Sequence, residues 1–270
     1  MKKIFKWIGI LTITILVVLV YSGIYLDIPR KELETKYATG SSQFLDLPDG
    51  ARIHFRDEGE PNNPVIVLLH GFNGSLFNFE RLVPLLANDF RLISIDLPGF
   101  GLTGATPSAD YTTEGFINAV TKLTDELGIE KFSIAGNSMG GGVAWRYALE
   151  YPSKVEGLIL LASSGVASKE DVKKFEEREK NTPIVWKLMD SDLLKKFLHY
   201  YTPKFFATEG LKRSVYDQQH ANADHANQFH DLVLLQGSRN AILSMTMGGR
   251  RKMYGPESLS KITAPTLVIH

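Results

Sequence analysis

Gly136-Asn137-Ser138-Met139-Gly140, between a strand pattern at 131–135 and a helical pattern at 140–150, decides the reading of this chain. A strand that reverses this sharply into a helix forces its central residue into strained backbone geometry. The chain crowds so closely there that glycine is needed two places before and two places after. The reversal lifts the serine hydroxyl to the carboxyl end of the sheet, where open α/β sheets bind ligands. A purely structural turn could use the same glycines, but the strand before and the helix after favour a nucleophile at Ser138.

Outward from that bend, strand and helix alternate. A continuous apolar run at 65–69 predicts a strand buried on both faces, and further strands are expected at 91–95 and 155–161. A helix is expected over 76–87, and another over 112–127, where Phe116, Val120, Leu123 and Leu127 recur at helical spacing and Gly128 supplies a stop. At the front, 43–47 and 52–56 flank Pro48-Asp49-Gly50 and read as a β-hairpin. The fold class is therefore α/β, a doubly wound, mostly parallel sheet covered on both faces. The expected organisation is a core over 40–165, a helical cap over 166–249, and the core resumed over 250–270 with a buried-type strand at 265–269. The charged block 169–180 reads as a solvated helix face. The cap aromatics Phe197, Tyr200, Tyr201, Phe205 and Phe206 read as core packing rather than pocket lining.

Residues 1–30 are expected to lie outside this fold. Lys2, Lys3 and Lys6 precede an uncharged apolar stretch over 7–26, which Asp27, Pro29 and Arg30 end. Twenty residues at ~1.5 Å rise span about 30 Å, the thickness of a bilayer's hydrocarbon core. The expectation is a single-pass N-terminal membrane anchor whose leading lysines stay cytoplasmic, so the catalytic domain faces outward. The alternative is a secreted protein cleaved after Val20-Tyr21-Ser22, although signal-peptide apolar regions are normally shorter.

Composition narrows the chemistry. Lys plus Arg and Asp plus Glu both total 30, so no whole-protein field draws the chain to nucleic acid. A hydrophobic content of 44% belongs to a globular chain. Absence of cysteine excludes disulfides, thiolate metal sites and a cysteine nucleophile.

A serine attacking a carbonyl creates an oxyanion, which two fixed backbone N–H groups can stabilise. One is expected from Met139, directly after the nucleophile at a helix start. The other is expected from Phe72 in His70-Gly71-Phe72, the loop after the strand at 65–69. His70 itself reads as a loop organiser, and Asp96 in Asp96-Leu97-Pro98-Gly99-Phe100-Gly101 as a structural residue in a tight turn.

These stretches, in this order, resemble the α/β-hydrolase superfamily, with the likeness running from about residue 43 to 165. Gly136-Asn137-Ser138-Met139-Gly140-Gly141 is similar to the elbow of bacterial lipases and esterases and of carbon–carbon bond hydrolases. The segment 166–249 corresponds to the family's variable cap, and Ala264-Pro265-Thr266-Leu267-Val268-Ile269 resembles its penultimate core strand. The resemblance implies attack by Ser138 on an acyl carbon, an acyl-enzyme, a small-molecule ester or lipid substrate, and no metal or organic cofactor. Carbon–carbon hydrolysis of a diketone-type substrate is the alternative reaction, and an inactive hydrolase-fold binding protein is the alternative outside enzymes.

The family's acid and histidine would follow the strand at 265–269, past His270, and Ser163 and Ser164 occupy an alternative acid position. The expected reason is that the sequence is part of a longer protein, and that these 270 residues alone would be a poor hydrolase. His220, His225 and His230 recur every five residues, about 140° apart on a helix, so they do not share a face and read as polar residues of the cap.

Overall fold

The computed structural model describes residues 2–166, 170, 173, 196–197, 199–215, 219, 221–247 and 254–270. Its strands are β1 (Ser42–Asp46), β2 (Arg52–Glu58), β3 (Val65–Leu69), β4 (Arg91–Ile95), β5 (Phe132–Asn137), β6 (Val155–Leu161) and β7 (Thr266–Ile269). Among the described residues the helices are α1 (Lys2–Ser22), α2 (Arg30–Tyr37), α3 (Val83–Leu86), α4 (Thr113–Glu126), α5 (Met139–Glu150), α6 (Lys204–Ser214), α7 (Ala223–Val233) and α8 (Ser238–Met247).

The strands form one sheet in the order β1-β2-β4-β3-β5-β6-β7, antiparallel at β1, β2 and β4 and parallel from β4 onward. Register decides where the chemistry lands. Leu69 pairs with both Ile95 and Gly136, so β3, β4 and β5 end level. His70, Asp96 and Ser138, each within two residues of those ends, gather at one rim. Strands β3 and β4 are buried on both faces, Val67 and Ile93 on one and Leu68 and Leu92 on the other. Burying each such side chain stabilises the fold by about 1.5–3 kcal/mol. Helix α4 begins where Thr112 accepts the Gly115 N–H at 3.1 Å, an N-cap that fixes its start.

Three expectations change. The single helix expected over 76–87 is instead a 3-10 turn at Leu76–Phe79 followed by the one-turn α3. Ser75 and Asn78 close a capping box on the first piece, and Pro84 starts a fresh turn because it has no N–H to continue the previous one. Strand β7 forms where expected, yet it is exposed along its length, with Val268 65% accessible, since it lies at the sheet edge.

The third change concerns residues 1–30. Only α1 stands clear of the domain: over Phe5–Ser22 its mean hydropathy is 2.0 and none of it is buried. The chain joins the fold at Gly23, not after residue 30. Ile24 bridges Tyr201, Ile28 bridges Leu235, and Leu33 of α2 is buried against Leu102, Leu232 and Leu235. Sequence periodicity carried no sign of this, because the partners lie from 69 to 207 residues away. The cap as described is helical apart from those two bridges, and most of the charged block 169–180 falls outside the described residues.

Candidate active site

Ser138 has φ +50° and ψ −113°, a conformation that L-residues rarely adopt, held at the junction of β5 and α5. The surroundings over-determine it. Its N–H donates to the Leu161 carbonyl at 3.0 Å, and its carbonyl accepts from the Gly142 and Ser164 amides and from the Ser164 hydroxyl at 3.1 Å. A Cβ on Gly136 would lie 2.2 Å from the Gly140 carbonyl oxygen, and one on Gly140 2.3 Å from that of Leu69. The two glycines are therefore steric requirements of the bend. Ser138 remains exposed, at the amino terminus of α5.

The loop after β3 lies directly against this bend. A Cβ on Gly71 would be 3.0 Å from Asn137 Oδ1 and 3.3 Å from Ser138 Cβ, so the residue before Phe72 packs on the bend. The Met139 N–H opens α5, where first-turn amides have no intrahelical acceptor. Among the described residues the Phe72 N–H also donates to no protein acceptor. The serine is thus exposed at the start of α5, with the Gly71 loop packed against it.

Two buried groups brace the rim. His70 accepts the Leu97 N–H at Nε2 (3.0 Å), so its proton sits on Nδ1, which donates to the Gly71 carbonyl at 2.7 Å. Burial lowers its pKa, more than the charge of Asp96 and the Gly71 bond raise it, and the ring stays neutral. It organises the loop, as the sequence suggested. Asp96 accepts from the amides of Leu76 and Leu102 and from His54 Nδ1, each at 2.7 Å. Burial pushes its carboxyl upward, but the His54 charge and hydrogen bond, then His70 and the Leu76 amide, outweigh that and hold it below its ordinary value. Glycine is obligatory at Gly101, where a Cβ would overlap the Asp96 carboxyl carbon at 2.0 Å.

Sequence reading missed His54, whose role depends on the register of β2 against β4, and Ser164, whose hydroxyl and amide both hold the serine's carbonyl. Among the described residues the Ser138 hydroxyl has no hydrogen-bonded histidine or carboxylate. His54 and His70 are committed to the rim, and His199 Nδ1 meets Asn240 Oδ1 at 2.8 Å. His225 and His230 lie at opposite ends of α7, and His220 falls outside the described residues. His230 is a buried polar residue of the cap, packed against Tyr25 with Nε2 donating to the Thr202 carbonyl at 2.8 Å.

A narrow cleft opens between the rim, at Asn73 and Phe100, and the cap, at Phe229, Val233 and Ile242. It adjoins the Phe72 loop, and Ser138 lies outside its lining.

The profile of the alpha/beta hydrolase fold family matches residues 64–228, which run from β3 through the bend into the cap. The chain belongs to the α/β-hydrolase family. Within it, an uncharacterized hydrolase of Bacillus subtilis is 25% identical over 229 residues, covering 82% of this chain and 77% of its own length. An uncharacterized hydrolase of Saccharomyces cerevisiae is 37% identical over 115 residues, covering 43% of this chain and 40% of the yeast protein. Among solved α/β-hydrolase folds, a bacterial membrane phospholipase A superposes with a TM-score of 0.62 at 22% identity, covering 99% of this chain and 81% of its own.

Proposed function

We propose that the protein is a membrane-anchored serine hydrolase of carboxylic esters, with Ser138 as nucleophile and the Phe72 and Met139 amides as its oxyanion hole. The observation that carries this reading is the left-handed backbone of Ser138 at an exposed strand-to-helix bend, with the Gly71–Phe72 loop packed on it. In the reaction, Ser138 Oγ attacks the acyl carbon, the carbonyl oxygen takes negative charge toward the two amides, and the alcohol leaves with the serine's proton. Water then hydrolyses the acyl-enzyme and restores the hydroxyl. A lipid ester is the favoured class, because the chain carries an apolar helix long enough to cross a bilayer and is similar along nearly its whole length to a membrane phospholipase A. In this reading α1 stays in the cell membrane and the catalytic domain lies on the extracytoplasmic side.

The test is turnover of a short-chain nitrophenyl ester by the full chain, beside the Ser138→Ala variant. Serine-dependent turnover, slow where no histidine bonds Ser138, is expected to vanish in that variant. Equal rates for both proteins would refute the assignment. A ring-fission diketone cleaved in preference to the ester would redirect it to carbon–carbon hydrolysis.

A further inference from the structure

We propose that the cap itself rests in the membrane surface, through the exposed pair Phe205–Phe206 at the start of α6, and that the partner is the boundary between phospholipid headgroups and acyl chains. This rests on the reading of α1 as a membrane span.

The first support is the lack of any linker between α1 and the cap. The helix ends at Ser22, and the very next carbonyl, that of Gly23, accepts the Thr202 N–H at 2.7 Å. Tyr25 N–H donates to the Tyr200 carbonyl at 2.9 Å, and a Cβ on Gly23 would sit 2.4 Å from the Tyr201 ring and 2.9 Å from Pro203. Segment 200–203 thus lies at the level where the chain leaves the apolar helix. Phe205 and Phe206 follow within three residues, about 5 Å of helix rise. The interfacial layer on each side of a bilayer is about 5–7 Å deep, so both residues are within reach of it.

The second support is what is exposed there. Phe205 and Phe206 are 64% and 63% accessible, with ring centroids 6.1 Å apart, and Leu26 on the connecting strap is 75% accessible. Neither phenylalanine is core packing, contrary to the expectation from sequence. Exposed Lys204 precedes them, and a long cationic side chain beside aromatic rings is the pattern that seats at headgroup level.

The third support is rigidity. Buried Arg239 donates to Asp27 Oδ1 from two nitrogens and to the Tyr25 carbonyl at 2.8 Å, while Arg30 donates to the carbonyls of Leu102 and Thr103. The strap is bound to α8 and to the rim loop, so the domain moves as one body with the strap that leads out of α1.

The chain has no cysteine, so single-cysteine variants of the full-length protein take one nitroxide label each. Phe205→Cys, with Phe206→Cys as its duplicate, is compared in phosphatidylcholine–phosphatidylglycerol vesicles with Glu126→Cys and Leu11→Cys. Glu126 ends α4, which leads to the amino end of β5, the opposite pole of the sheet, and Leu11 lies in α1. The expected result is that labels at 205 and 206 collide with oxygen several-fold more, and with a water-soluble nickel chelate several-fold less, than the label at 126. Should Leu11 sit in lipid while 205 and 206 match 126, the docking is wrong and the anchor stands. Should the Leu11 label be open to the chelate, the anchor reading fails and the docking with it. Labels at 205 and 206 shielded from both oxygen and chelate would mean that protein covers the pair, which also overturns the proposal.

Discussion

In the sheet, a residue's place follows from its neighbours in sequence; at the seam between the strap and the cap, it follows from residues far along the chain. Strands β3 to β6 are short segments rich in Ile, Leu and Val or set before the glycine bend, and each is recognised from its own residues. The seam is made of Arg239 on Asp27, 212 residues away, Ile28 N–H on the Leu234 carbonyl, and His230 on Thr202 and Tyr25. A core of continuous apolar strands tolerates changes that conserve volume. A seam of side chains bonded to backbone groups has no such substitute, because each lost donor leaves a particular acceptor unpaired.

The largest effect should come from the bend, where core and chemistry share one backbone. Gly136→Ala forces a methyl into the Gly140 carbonyl and is expected to cost about 3 kcal/mol of stability. It should also abolish serine-dependent turnover, read by urea melts and ester assay together. A variant with both preserved would show that the bend is looser than its contacts imply.

Next comes Arg239→Met. Loss of a buried guanidinium strands Asp27 and the Tyr25 carbonyl, and because the Asp27 carboxylate is 26% accessible, water recovers part of the penalty. About 2 kcal/mol is expected. The change should appear as faster amide hydrogen exchange across 199–245, with β3 to β5 unchanged. Uniform acceleration across the sheet would erase the distinction between the two regions.

The smallest effect is in acid. Burial depresses the pKa of both His70 in the core and His230 at the seam. Their unfolded forms therefore bind protons first, and folded stability is complete above about pH 6.5 and falls as pH drops below it, by no more than about 1.4 kcal/mol per pH unit for each group. His230→Gln should remove only the seam's share: cap protection should become flat from pH 7.5 to 5.5, while the sheet keeps its slope. If the cap's acid sensitivity survives in that variant, His230 is not its source.

How much of this was legible follows from the same contrast. The strands at 65–69, 91–95 and 155–161 agree residue for residue with β3, β4 and β6, and the serine's bend follows from glycine spacing alone. His54 could not be paired with Asp96 from sequence, since that needs the β2–β4 register. The helix expected over 76–87 failed because its apolar rhythm says nothing of Pro84, which lacks an N–H to continue the turn before it. The aromatic cap residues were misjudged for a different reason. Spacing identifies which residues share a face, but whether water, protein or lipid meets that face depends on what packs alongside.

Because the seam begins at Gly23, the apolar rod and the globular body have separate fates. A protease cutting after Ser22 would shed an enzyme whose every described strap contact travels with it, whereas a cut seven residues later would unbuckle the Arg239 clasp and the two bridges. Where such shedding occurs, the position of the nick decides between a released, folded hydrolase and one with its cap undone.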